Sequence, residues 1–487
     1  MKLLDLLKGV DFEVLSGSQE VDVNHVQYDS RKIKSGDLFV CLTGFEVDGH
    51  DYVFKAIEAG AKVIMSEKKI DVNNKDITVL LVKEGRKALA IMSANYYGNP
   101  TKKLKLIGVT GTNGKTTTVY ILKSMLEKAG KKVGLVGTIA NYIGDKKIKS
   151  ERTTPESLEL QKLFRDMVED NCEYCVMEVS SHSLYLDRVY GCEFEVGIFT
   201  NLTRDHLDFH KTFENYYNAK FKLFEKSNAC VINIDDDYGY RIVRDVESIL
   251  NKEVKTYSIK DESDFKASEV MLKEGDIHFN VNGKNYNSIL PGEYNVYNAL
   301  GAIATMNILD IDNQYIENGL LNVVVPGRCE RIGYKYEIPY DIIIDFAHTP
   351  DGLKNILETL RDYCKNRLIS VYGSGGDRDK VKRAEIGRIG TELSDLAIIT
   401  SDNPRDEDPM DIIKEIIAGT NRSNYIAIED RAEAIKLALN MAEEGDLVVL
   451  AGKGHENYIE TIDGKIHFDE REVVDKILEN KRKNRGV

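Results

Sequence analysis

Two hydrophobic rhythms share this chain. Short apolar runs with strand character alternate with stretches whose apolar residues recur every three or four positions. From Asp341 onward the alternation is regular. The runs "DIIIDF", "LISVYG", "LAIITS", "YIAI" and "DLVVLAG" are separated by helical segments such as "LKNILETLRDYC" and "MDIIKEIIAG", the pattern of a parallel, doubly wound sheet. Upstream, Leu104–Val109 reads as a buried strand, and 116–128 as a helix with Val119, Leu122, Met125 and Leu126 on one side. "YCVMEV", "FEVGIFTNL" and "ACVINID" add further strands to a central α/β unit. Residues 1–99 carry a mixed strand and helix pattern that ends at the breaker "YYGNPT". The expected fold class is therefore α/β with three domains: a mixed α/β domain at 1–99, a central α/β domain at 100–330, and a C-terminal Rossmann-like, doubly wound domain at 331–487.

Composition narrows the choice of partners. A chain of 487 residues has room for about three cores. A net charge of −14 with no long basic run argues against nucleic acid and anionic membranes, so an anionic substrate needs local basic clusters. No apolar stretch approaches the roughly 18 residues of a membrane span, and "MKLLDLLKGVDF" lacks a signal-peptide core. The expectation is a soluble, cytoplasmic protein. Seven scattered cysteines point to reduced thiols. Cys172 and Cys175 form a CxxC, but no second pair at ligand spacing supports zinc.

The densest chemistry lies between the strand at 104–109 and the helix that follows. In "GVTGTNGKTTT", Gly111 and Gly114 let the backbone approach an anion and the helix N-terminus offers free N–H groups. Lys115 adds positive charge, and Thr116 can place a hydroxyl on Mg²⁺. Five residues separate Gly108 from Gly114 where the standard P-loop has four, so this is a variant phosphate loop. Glu178 closes one neighbouring strand and His206 follows another, so both fall at the same sheet edge as candidate Mg²⁺ ligands. On the helix "TFENYYNAKFKLFEK", Phe213, Tyr216, Tyr217, Leu223 and Phe224 lie within about 60° of Lys220. An ammonium on an apolar stripe is costly. It either snorkels at the stripe's edge or is converted to a carbamate, an anion able to organise Mg²⁺. In the C-terminal unit "DFAHTPDG", "GSGGDRDK", "SDNPRDEDP" and "AGKGHENY" each follow a strand, so all four lie on one ligand-binding rim.

The set "GTNGKTT", "EVSSHS", "TNLTRDHLD", "YNAKFKLF", "GEYNVYNAL", "GRCERI", "DFAHTPDG", "GGDRDK", "DNPR" and "GKGHE" resembles the Mur ligases of peptidoglycan synthesis, in order and over nearly the whole chain. More narrowly, it is similar to the branch that adds the third residue of the stem peptide. The resemblance implies a UMP-binding first domain, an ATPase centre and an amino-acid-binding third domain. It implies UDP-N-acetylmuramoyl-L-alanyl-D-glutamate, meso-diaminopimelate and ATP as substrates, Mg²⁺ as cofactor, and a monomer. Carried over by motif, Ser30 binds the uridine end, while Thr153, Thr154, Ser180 and Arg188 hold the muramoyl dipeptide. Gly111, Thr112, Asn113, Gly114, Lys115, Thr116, Thr117, Asn201, Asn295, Arg328 and Asp345 surround ATP. Thr116, Glu178, His206 and carbamylated Lys220 hold Mg²⁺, and with Lys115 the last three carry the catalysis. Arg378, Asp402, Asn403, Pro404, Arg405, Gly452 and Glu456 form the amino-acid pocket. Three positions depart from the family pattern: Arg152, Leu186 and Phe346. Lysine as the added amino acid, a folylpolyglutamate-synthetase-like ligase and a nucleotide-gated binding module are the alternatives. For Arg405 the plainer role is a brace of its own loop against Asp406 or Glu407.

Overall fold

The computed structural model describes residues 1–44, 47–203, 205–273, 276–377 and 380–484. Contacts divide the chain into two compact units, Met1–Lys266 with Tyr297–Gly319, and Ala267–Val296 with Leu320–Val487.

The first unit carries two sheets. The N-terminal one has five strands in the order Glu13–Ser16, Thr78–Leu81, Val63–Ser66, Leu38–Val40, Val26–Gln27; only its first strand pairs antiparallel. In the central sheet, Lys105–Thr110 runs between Tyr174–Glu178 and Phe194–Phe199, parallel to both. That register sets Glu178 beside Val109 and Phe199 beside Thr110, so the carboxyl ends of three strands meet where the glycine-rich loop begins. Leu106, Cys175, Met177 and Phe194 pack under Leu160, Phe164 and Met167 of helix Ser157–Glu169. Cys172 and Cys175 are both buried, and burial pushes both thiols up.

The second unit holds the doubly wound sheet. Its order is Glu330–Ile332, Asp341–Asp345, Leu447–Ala451, Leu368–Tyr372, Leu396–Ile399, Tyr425–Ala427, parallel apart from the first strand. Period-two alternation sends successive residues to opposite faces. Ile343, Val449 and Ile399 join a core with helices Pro350–Arg361, Val381–Leu393 and Pro409–Ile417. Ile342, Ile344, Val448 and Leu450 join another with Arg431–Met441 and Glu470–Asn484. Both faces are thus covered, and the carboxyl-end loops become the free rim. No helix among the described residues is long and apolar enough to cross a membrane.

Candidate active site

The turn between Thr110 and Lys115 is built by its glycines and fixed by a neighbouring strand end. Gly114 caps the helix Lys115–Lys128 at φ +85°, in the left-handed region where side chains strain the backbone. A β-carbon there would lie 2.3 Å from Asn298 Oδ1. Thr112 N–H donates to the Asn201 carbonyl and Asn113 N–H to Asn201 Oδ1, each at 2.8 Å, while Thr200 Oγ1 donates to the Asn113 carbonyl at 2.6 Å. Asn201 therefore shapes the loop through both its backbone and its side chain.

Two lysines converge on one carbonyl. Lys115 Nζ donates to the Gly111 carbonyl at 2.9 Å and to that of Thr112 at 2.8 Å, and Lys220 Nζ reaches the same Gly111 oxygen at 2.7 Å. Lys220 is 1 % exposed, on the buried side of helix Phe213–Glu225 with Tyr216, Tyr217, Leu223 and Phe224, and its Nζ lies 4.5 Å from the Tyr216 ring centre. The snorkelling alternative is thereby excluded. Burial first, then the charge of Lys115, holds the Lys220 amine well below the ordinary lysine range.

Beside the loop, Thr116 Oγ1 donates to Glu178 Oε2 at 3.0 Å, and Thr138 donates to the same carboxylate through its N–H and its hydroxyl. This pair suits Mg²⁺, which takes one or two protein oxygens and completes its octahedron with water and phosphate. Among the described residues no group of three or more His, Cys, Asp or Glu could hold a metal unaided. His206 is 46 % exposed and packs edge-on against His182, ring centres 4.9 Å apart. The expected four-residue metal set is thus gathered only at Thr116 and Glu178, with Lys220 tied to the loop.

A cleft of about 1050 Å³ in the same unit is lined by Ser30, Leu186 and Arg188, among others. Its described lining carries eight basic and five acidic side chains, a positive excess in a chain of net charge −14. Arg188 donates from Nε to Glu156 at 2.7 Å and from NH1 to the Thr154 carbonyl at 3.1 Å. Thr154 Oγ1 in turn donates to the Glu178 carbonyl at 2.8 Å. Thr153 faces Thr138, hydroxyl to hydroxyl, at 2.9 Å, and Ser180 N–H donates to Thr154 Oγ1 at 3.1 Å. The four dipeptide candidates are thus linked to Thr138 and to the end of the strand that carries Glu178. Glu156, which none of the sequence motifs singles out, receives Arg86, Arg152 and Arg188. A glutamate directly after "TTP" was its available signal.

The remaining candidates lie in the second unit. Asp345 accepts the N–H groups of Cys329 and Ala347, both at 2.8 Å; burial raises its carboxyl, against the pull of Arg328. The Arg328 guanidinium stands 5.0 Å from the ring centre of Phe346. Asn295 Nδ2 is spent on the Pro291 carbonyl at 2.6 Å. On the rim, buried Lys453 donates to Asn403 Oδ1 at 2.8 Å and to Glu456 Oε2 at 2.9 Å, and Asn403 Nδ2 donates to that same oxygen at 2.9 Å. Burial would raise the Glu456 carboxyl; Lys453, Asn403 and Tyr458 outweigh it and hold it below the usual range. A β-carbon on Gly452, φ +118°, would meet Asp402 Oδ2 at 2.5 Å. Pro404 packs through its carbonyl against Gly376. Arg405 is braced by Glu460, not by Asp406 or Glu407: its Nε lies 3.0 Å from Glu460 Oε2, whereas Glu407 pairs with Arg383. Arg378 lies outside the described residues.

Family models match along the chain: Mur ligase family, catalytic domain, over 22–97; Mur ligase middle domain over 109–306; and Mur ligase, glutamate ligase domain, over 327–454. The chain belongs to the Mur ligase family. It is 59 % identical over 485 residues to the UDP-N-acetylmuramoyl-L-alanyl-D-glutamate–2,6-diaminopimelate ligase of Clostridium perfringens (strain 13 / Type A), covering 99 % of this chain and 100 % of that one. A solved structure of a ligase with the same name matches at TM-score 0.74 and 29 % identity over 99 % of both chains. A Mycobacterium tuberculosis folylpolyglutamate synthase matches at TM-score 0.60 and 17 % identity over 75 % of this chain and 92 % of its own, a likeness of fold alone.

Proposed function

We propose that this chain is an ATP-dependent ligase that joins meso-diaminopimelate to the D-glutamate carboxyl of UDP-N-acetylmuramoyl-L-alanyl-D-glutamate, through an acyl phosphate, as a cytoplasmic monomer. What carries the reading is its end-to-end identity with ligases named for that reaction. Residues 1–99 take the uridine end, 100–330 work ATP, and 331–487 bring the amino acid.

A carboxylate is a poor electrophile, because an attacking amine would have to expel oxide. Transfer of the γ-phosphoryl group to the carboxylate oxygen releases ADP and turns that oxygen into part of a phosphate leaving group. The amine then bonds to the acyl carbon as the C–O bond breaks. The chain's contribution is positioning and charge. The Gly111–Thr117 loop and Lys115 hold the β- and γ-phosphates, Arg188 and the Thr153–Thr154 segment hold the dipeptide, and Glu456 and Arg405 hold the amino acid. Thr116 and Glu178 would hold Mg²⁺, which would supply charge screening between phosphate and carboxylate. Burial lowers the Lys220 amine from the ordinary lysine range, which favours the free base that carbamate formation with CO₂ requires. As a carbamate, with His206, it would complete the Mg²⁺ surroundings.

The reading is tested by phosphate release. Release should occur only when ATP, the nucleotide-sugar dipeptide and diaminopimelate are all present, and Lys115→Ala should abolish it in a folded protein. Turnover of ATP without the other two substrates would sink the proposal, as would near-wild-type ligation by the Lys115 variant.

A further inference from the structure

Directly after the Gly452–Glu456 loop comes a hairpin, Tyr458–Thr461 paired antiparallel with Gly464–His467. Its first strand also grips the "DNPR" loop. Glu460 N–H donates to Asn403 Oδ1 at 2.9 Å, Arg405 N–H donates to the Glu460 carbonyl at 2.9 Å, and Arg405 bridges in parallel to Thr461. The side chains repeat the grip. Arg405 Nε donates to Glu460 Oε2 at 3.0 Å, and NH1 donates to the Gly376 carbonyl at 2.7 Å. Arg405 is held in this way at φ +51°, a left-handed conformation that a residue with a β-carbon keeps only where its surroundings over-determine it.

The pinning leaves one part of the guanidinium unused. Nε and NH1 are engaged, while NH2 makes no hydrogen bond among the described residues. NH1 has a second hydrogen besides the one given to Gly376, so with NH2 it can present the two-pronged donor that a carboxylate matches. An arginine free to rotate must be frozen when a ligand binds; one already frozen by the fold loses less on binding.

We propose that Glu460 is a positioning residue that sets the choice of amino acid, by holding Arg405 so that this edge meets a carboxylate at the far end of the incoming molecule. The inference rests on the proposed function, which supplies diaminopimelate as substrate and Arg405 as its anchor. Lysine has no distal carboxylate and gains nothing from the arrangement. Glu460 acts only through Arg405, since its own negative charge repels the group that Arg405 receives.

The test is steady-state kinetics of the full-length enzyme with diaminopimelate and with lysine, for wild type, Glu460→Gln, Glu460→Ala, Arg405→Ala and the Arg405→Ala/Glu460→Ala pair. Glutamine keeps the shape and an acceptor without the charge, so it carries the test if alanine disturbs the hairpin. In Glu460→Ala the KM for diaminopimelate should rise about tenfold, with kcat within about twofold of wild type. Glu460→Gln should show a smaller rise in the same direction. Lysine use should stay unchanged, and the double variant should be no worse than Arg405→Ala. An unchanged or lowered KM for diaminopimelate in both Glu460 variants, or equal losses for both amino acids, overturns the inference. Failure of the wild type to use diaminopimelate would instead overturn the functional reading, so the two failures are distinct.

Discussion

Lys220 shows what a single residue reveals from each side. Its place on an apolar stripe follows from helical spacing alone, and the structure buries it fully against Tyr216 and the phosphate loop. The depressed amine fixes the sign of a pH effect. Between its folded pKa and the unfolded value of about 10.4, the unfolded chain binds more protons, so stability rises with pH. Below the folded pKa the penalty is complete. In CO₂-free buffer, Lys220→Met should therefore melt higher than wild type at neutral pH, and the difference should fade as pH approaches about 10.4. Bicarbonate should raise the melting temperature of the wild type and leave the variant unchanged, because a carbamate places an anion beside the positive charge of Lys115. Activity should be lost in Lys220→Ala and partly restored by short carboxylates. Arg405 marks the limit of residue-scale reading. A bracing role against Asp406 or Glu407 was the local reading, but its partner, Glu460, is 55 positions away in sequence, beyond any local rule.

At the scale of elements, the strand, turn and helix around Gly111–Lys115 were legible because each part obeys local chemistry: an apolar strand, glycines where the backbone needs them, and a helix opening on unpaired N–H groups. Gly114→Ala tests that unit. A β-carbon at φ +85° and 2.3 Å from Asn298 Oδ1 must strain the backbone and push Asn298 aside. It should cost about 1–3 kcal/mol in urea unfolding and remove most ATP-dependent phosphate release. Near-normal values of both would mean that the loop tolerates another conformation. The doubly wound sheet was equally legible, since five apolar runs alternating with helices admit few other arrangements. The hairpin Tyr458–His467 was not singled out, although "DG" at Asp463–Gly464 is a turn signal. Its significance lies in the loop it grips, which alternation along the strand does not encode.

Across the whole molecule, charge is distributed against its average. The chain carries −14, yet the described lining of the large cleft is net positive, and Arg86, Arg152 and Arg188 share the single carboxylate of Glu156. Contacts inside the cleft fall within a Debye length of about 8–10 Å, whereas the repulsive surface is mostly farther away. Raising salt from 0.05 to about 0.5 M should therefore raise the KM for the nucleotide-sugar dipeptide by severalfold. A KM that falls with salt would show that the overall negative field dominates. The division into units is also a whole-molecule property. Residues 267–296 leave the first unit and 297–319 return to it, so Asn295 and Asn298, one helical turn apart, belong to different units. By itself the sequence determined what depends on neighbours along the chain: the period of each element, the glycine-rich loop, the place of Lys220 on an apolar stripe, and the rim on which the C-terminal loops lie. Only the tertiary structure decided which distant groups share a proton or a charge: Lys115 and Lys220 on one carbonyl, three arginines on Glu156, Glu460 on Arg405. Such pairings depend on distances of about 3 Å between residues far apart in the chain, and only packing creates them.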